Sequence, residues 1–112
     1  MLHARVVDIS KEKIELIRAE KFIMNMKLEL YGASRDFCKE SFIIFNLKEK
    51  STIKELRVVI IKFIEANFKN NENYKKIVNS SVFCSDKDEI VDDNYKISNN
   101  EKVGIIPPIG GG

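Results

Sequence analysis

The residues best suited to chemistry stand at the end of the chain, which reads Ile105-Ile106-Pro107-Pro108-Ile109-Gly110-Gly111-Gly112. Three of the five glycines are the last three residues, and both prolines precede them closely. A terminal carboxylate is the one acid a protein can present on a thread with no side chains beside it. Activating such a carboxylate as an acyl-adenylate requires it to enter a nucleotide site inside another protein. A Cβ on either of the last two residues would widen the thread and restrict its backbone. The prolines lack N–H groups, so they end strand pairing and hold the chain extended as it leaves the fold. From Ile109 to Gly112, four residues reach about 13 Å at full extension. Gly112 is therefore the candidate reacting residue. Gly111, Gly110, Ile109, Pro108 and Pro107 form the segment that is inserted.

Other reactive side chains are few and poorly placed. Cys38 and Cys84 have no basic or helix-N-terminal setting around them beyond Lys39, and read as structural thiols. His3 lies in an N-terminal stretch that fits no element well, which makes it a poor ligand. Asp86, Asp88, Glu89, Asp92 and Asp93 are dense enough to suggest calcium. They lack the glycine and terminal glutamate of an EF-hand loop, so they read as solvated turns or a charged patch facing a partner. Arg35 reads as a surface ion-pair residue of small energetic weight or a contact for a partner.

The elements that must position the tail are legible as follows. Residues 26–31 alternate apolar and polar like a half-buried strand, and 41–47 is a second β-branched and aromatic run. Gly32, Ser34 and Asp36 between them suit a turn, which makes a hairpin. Thr52 and Glu55 form a T-x-x-E capping box. Ile53, Leu56, Ile60, Phe63 and Ile64 then recur at helical spacing to about Asn67, with Lys54, Arg57, Lys62 and Glu65 on the opposite face. Asn67, Asn70, Asn71 and Asn73 mark the end of that helix. Residues 82–84 and 89–91 read as brief strands around a charged turn. Asn99-Asn100 signals another turn, and 103–106 a buried strand. Hairpin, helix and returning strand give an α+β protein of β-grasp architecture, with a mixed four- to five-stranded sheet packed on one main helix. The domain is expected over 26–112, with a flexible tail at 107–112. Residues 1–25 read as an extension or a start assigned too early; within it, 4–7 suits a strand and 11–20 a short amphipathic helix.

Composition narrows the function classes. With 112 residues, 44% of them hydrophobic, the chain suits one domain with a modest core. Nineteen basic and 17 acidic side chains leave a formal charge of +2, no electrostatic reason to expect nucleic acid or an anionic membrane as partner. Two cysteines and one histidine supply neither a disulfide framework nor a structural zinc site. No apolar run approaches the roughly 20 residues that span a bilayer, and the first 25 residues carry too many charges for a signal peptide. A cytoplasmic location is expected.

The stretch from Ile97 to Gly112 resembles the end of the small subunit of molybdopterin synthase, a ubiquitin-like sulfur carrier. That family ends on a pattern close to L-x-D-G-D-E-V-A, two apolar residues, P-P-V, Ser or Thr, and G-G. Ile97, Val103, Ile105-Ile106, Pro107-Pro108 and Gly111-Gly112 match it. Met26 to Phe37 looks like the family's opening strand with its F-G/A-A-x-R-E segment, and Val78-Asn79 like a Val-Asn ahead of its third strand. Asn99, Asn100 and Glu101 replace the usual Asp-Gly-Asp, and Gly110 replaces Ser or Thr. The resemblance implies adenylation of Gly112 with ATP by a partner enzyme, a ubiquitin-activating-like adenylyltransferase and sulfurylase. A persulfide donor then displaces AMP to leave a thiocarboxylate. Finally the tail enters the large synthase subunit, where the sulfur builds the dithiolene of molybdopterin. It implies no tightly bound cofactor and no catalytic side chain, and docking through an apolar surface near the last strand. The alternatives are a modifier that joins Gly112 to target lysines, a carrier for tRNA thiolation or thiamin synthesis, and an interaction module with an inert tail.

Overall fold

The computed structural model describes residues 23–109. The strand and helix expected within the first 22 residues, His3 and the three terminal glycines lie outside the described residues. Five strands form one mixed sheet in the order β2-β1-β5-β3-β4. They are β1 (Ile23–Leu30), β2 (Phe42–Lys48), β3 (Val82–Cys84), β4 (Ile90–Val91) and β5 (Glu101–Ile106). β1 pairs antiparallel with β2 and parallel with β5, so the two central strands point the same way. That parallel pairing requires a crossover connection, which the helices supply. The result is the β-grasp architecture.

Helix α1 (Ile53–Asn67) has the expected capping box: Thr52 N–H donates to Glu55 Oε1 at 2.8 Å, and Thr52 Oγ1 accepts from Glu55 N–H at 3.5 Å. Its buried stripe is Ile53, Leu56, Ile60 and Ile64, each fully buried. They pack over Met24, Met26, Leu28, Leu30, Phe45, Leu47, Phe83, Val103 and Ile105 of the sheet's inner face. Phe63 is half-buried and stacks edge-on against Phe45 at 5.7 Å between ring centres.

The structure corrects the sequence reading in four places. A second helix, α2 (Glu72–Ser80), fills the stretch expected to hold only the end of α1. Asn71, expected as a stop, is its N-cap: the side chain accepts from Tyr74 N–H at 3.0 Å. Lys75 ties α2 to α1 through Glu65 at 3.2 Å, and Val78 is fully buried. Arg57, expected on the solvent face, is half-buried instead. Its guanidinium meets Asp93 at 3.0 Å, donates to the Val78 carbonyl at 2.7 Å and lies 4.8 Å from the centre of the Phe83 ring. β1 begins at Ile23 rather than 26 and ends before Tyr31, and β5 begins at Glu101 rather than 103. Between β1 and β2 the expected turn is a 3₁₀ helix (Gly32–Phe37).

Candidate functional site

The register of the central strands decides where the tail leaves. Leu30 of β1 lies beside Ile105 of β5, so two residues further on Gly32 comes alongside Pro107. Gly32 adopts φ +56°, a conformation that favours glycine, and its open α-carbon side lies against the proline ring: a Cβ there would sit 3.7 Å from Pro107 Cδ. Pro107 is consequently buried, although the tail was expected to start there. Pro108 and Ile109 are exposed, Ile109 completely so. The body ends at Pro107 and the free chain begins at Pro108. Of the predicted insertion segment, the described residues thus comprise one anchored and two projecting positions.

The strand feeding the tail is fixed at its other end by a buried carboxylate. Glu101, 5% exposed, accepts from Ser98 N–H at 2.8 Å, Asp86 N–H at 3.2 Å and the Tyr95 hydroxyl at 2.7 Å. The bond to Glu101, together with burial and the nearby negative charge, pushes the Tyr95 phenol up to about 12. Asn99-Asn100 forms the expected turn, Asn100 at φ +65°, and both residues bond the backbone of Asn25 in β1. The sequence reading did not single out Glu101. It alternates in phase with Val103 and Ile105 of the buried face, but a charged residue beside polar turn residues reads as solvent-facing.

The sheet face turned away from the helices is partly apolar. Strand alternation places Phe42, Ile44, Val82, Ile90 and Ile106 there, with Ile44, Val82 and Ile90 at least 45% exposed. Gly104 sits among them, and a Cβ on it would come within 2.9 Å of both Cys84 Sγ and Tyr31 Cε2. Glycine here lets the Tyr31 ring and the Cys84 thiol close over the backbone of the last strand. The Tyr31 hydroxyl donates to Glu29 at 2.8 Å, which, with burial and the carboxylate charge, raises its pKa. This is where an apolar surface near the last strand was expected, and it begins one residue from the tail's anchor.

A cleft of 340 Å³ flanks the tail on the other side, lined by Ala33, Asn73, Lys76, Ile77, Ser80, Pro107 and Pro108. Four of these residues lie on α2, the helix the sequence reading did not recognise, and so the cleft was not foreseen.

The remaining candidates separate from the tail. Cys38 and Cys84 are both free and half-buried. The acidic cluster is partly committed to structure: Asp93 binds Arg57, and Asp92 Oδ1 accepts from Asn94 N–H at 2.9 Å. Among the described residues no group of acidic, histidine or cysteine side chains is placed to hold a metal ion. Arg35 is exposed on the 3₁₀ helix. No described helix is long and apolar enough to cross a membrane.

With this geometry in view, the fold is that of ubiquitin-like β-grasp proteins. A candidate molybdopterin converting factor subunit 1 from Pyrococcus furiosus superposes with a TM-score of 0.58 at 20% identity, over 77% of this chain and 99% of its own. Small archaeal modifier protein 1 of Haloferax volcanii gives 0.56 at 8% identity, over 77% and 99%. A ubiquitin from Caldiarchaeum subterraneum gives 0.52 at 14% identity, over 80% and 99%. No protein-family model and no curated protein matches the chain.

Proposed function

We infer that the chain is a ubiquitin-like sulfur carrier, the small subunit of a molybdopterin synthase, with Gly112 as its reacting residue. The observation that carries this reading is the tail exit. A buried proline beside Gly32 is followed by an exposed proline and a fully exposed Ile109, and in the sequence the glycines come next. A rigid root and a thin end suit insertion into another protein's site. In the first step the Gly112 carboxylate attacks the α-phosphorus of ATP, and pyrophosphate leaves. A persulfide sulfur on the activating enzyme or its donor then attacks the acyl carbon and expels AMP. A thiol cleaves the resulting acyl disulfide, leaving the thiocarboxylate on Gly112 and a disulfide behind. The large synthase subunit takes the tail and transfers its one sulfur to the pterin substrate, water restoring the Gly112 carboxylate, and two such deliveries supply the two sulfurs of the dithiolene. The carrier itself supplies no general acid or base and holds no cofactor; ATP belongs to the adenylating partner. The use of ATP fits the cytoplasmic location expected from the sequence.

The likeness to an archaeal modifier and a ubiquitin supports a second reading, in which activated Gly112 acylates lysines of target proteins. Both readings need the same adenylation. The Pro107-Pro108 pair and the Met26–Phe37 segment favour the carrier. Intact-mass spectrometry after incubation with the cognate adenylating enzyme, ATP, a persulfide source and a lysate of the same cells separates the two. Replacement of one terminal oxygen by sulfur is the expected result, whereas a ladder of adducts on other proteins with no such replacement refutes it. Removing Gly111 and Gly112 should abolish the mass change and leave the melting temperature where it was. A loss of stability comparable to a core substitution would contradict the tail's placement outside the fold.

A further inference from the structure

The cleft beside the tail root carries a charge that pairs with no described carboxylate. α2 has two consecutive lysines. Lys75 is half-buried and paired with Glu65 at 3.2 Å and Glu72 at 3.8 Å. Lys76 lines the cleft, is exposed, and has no ion pair among the described residues. It is the only charged residue of the lining. The Ser80 hydroxyl is turned to the carbonyls of Lys76 and Ile77. Ala33, Ile77 and the two prolines supply apolar wall. Among the described residues the cleft therefore offers one ammonium without an ion pair beside apolar surface.

Its position limits what can fill it. Pro107 and Pro108 are both wall of the cleft and root of the tail. From Pro108 to Gly112 the chain spans about 16 Å at most. Any protein that encloses Gly112 has the rim of its site within that distance of Pro108, a residue of the same cleft wall as Lys76, and the activating enzyme is the first to do so. We propose that the cleft receives an acidic side chain from a loop of the enzyme that adenylates Gly112, its carboxylate on Lys76 and an apolar neighbour against Ile77 and the prolines. This rests on the reading of Gly112 as an adenylated terminus. It adds a contact on the helical side of the tail, opposite the apolar sheet face.

The test is ATP–pyrophosphate exchange by the cognate adenylating enzyme, purified from the same cells, measured against carrier concentration and ionic strength. Lys76→Glu should raise the KM for the carrier about tenfold or more with kcat unchanged, the size of one lost charge-assisted contact. Lys76→Gln should raise it less and flatten its dependence on salt. Lys54→Glu, on the exposed face of α1, makes the same change in net charge and should leave KM alone. Circular dichroism confirms that each variant folds. A Lys76→Glu carrier with the wild-type KM overturns the cleft assignment while the adenylation reading stands. Absence of exchange with the wild-type carrier overturns both. Concentration-dependent self-association of the carrier, abolished by Lys76→Glu, would instead give the cleft to a second copy of the chain.

Discussion

Glu101 offers the sharpest test of how the tail-bearing strand is held. Two of its three donors, Tyr95 O–H and Asp86 N–H, share Oε2, and Ser98 N–H takes Oε1. Glu101→Gln turns one of these oxygens into a donor. The cheaper orientation keeps the oxygen on the Tyr95 side and sets the amide NH₂ against Ser98 N–H. It forfeits one charge-assisted bond outright and weakens two, which costs about 2 kcal/mol. Glu101→Ala leaves three donors without their acceptor in a 5%-exposed position and costs about 3–5 kcal/mol. For a domain of ordinary stability, about 5–15 kcal/mol, the glutamine variant stays folded and the alanine variant is near its limit. Urea unfolding followed by circular dichroism at neutral pH measures both. The same pair predicts an alkaline slope. Tyr95 titrates near 10 when unfolded and at about 12 when folded, so between those values the native state holds a proton that the unfolded state has lost. Its stabilising contribution is complete below pH 10, falls as pH rises toward 12 and is gone above that. Glu101→Gln weakens the largest cause of the shift, the bond from the phenol to residue 101, and removes that residue's charge, so it should flatten the slope. A Glu101→Gln variant as stable as wild type, with an unchanged alkaline slope, would refute the account of Glu101 as the clamp.

Ile60→Asp places a carboxylate at a fully buried position on α1 and should abolish cooperative unfolding; a soluble variant with a normal melt would show the helix face to be wrongly assigned. Arg57→Ala removes the Asp93 ion pair, the bond to the Val78 carbonyl and the contact with Phe83 together. It should cost about 2 kcal/mol in urea while adenylation below the melting temperature persists. Gly104→Ala sets a Cβ within 2.9 Å of both Tyr31 Cε2 and Cys84 Sγ, so these must give way, but Tyr31 is 46% exposed and can swing out. The expected cost is therefore about 1 kcal/mol, read as a small drop in melting temperature; unfolding of this variant would mean the ring is locked in place.

What was legible in the sequence depended on how strongly each signal repeated. α1 could be read to the residue because Thr52–Glu55 caps it and four isoleucine and leucine positions repeat along one face. The Asn99-Asn100 turn was equally plain, since one of its residues needs positive φ and asparagine tolerates it. α2 was not legible. It is nine residues long and buries only Val78 fully, and its cap is an asparagine in a run that also reads as a terminator. Its helicity comes from packing on α1 and from Lys75, contacts between segments that no local pattern records. Arg57 misled for a related reason. Its position on the helical wheel is outward, and only α2 and the turn after β4 arriving over it convert a solvent position into a half-buried one. The tail motif was visible as chemistry, yet its anchor was not. That Pro107 belongs to the body follows from the parallel register of β1 and β5, which fixes residue 32 against residue 107.

That register has a mechanical consequence. On the proposed function the tail is inserted and withdrawn as one end of a thread whose other end is a central strand, so force on Gly112 would pass to β5. β5 is bonded on both edges, parallel to β1 and antiparallel to β3, and clamped at its start by Glu101. Pro107 stands between this network and the free residues, and having no N–H it adds no ladder bond that must break when the tail moves. Motion of the terminal residues can therefore stop at Pro107 without loosening the sheet. A carrier that meets its activating enzyme and its acceptor in turn needs that separation, since the tail must change surroundings while the docking surface keeps its shape. Substitutions in the body should then act on stability and on recognition of partners, and substitutions beyond Pro108 on the chemistry of Gly112 alone.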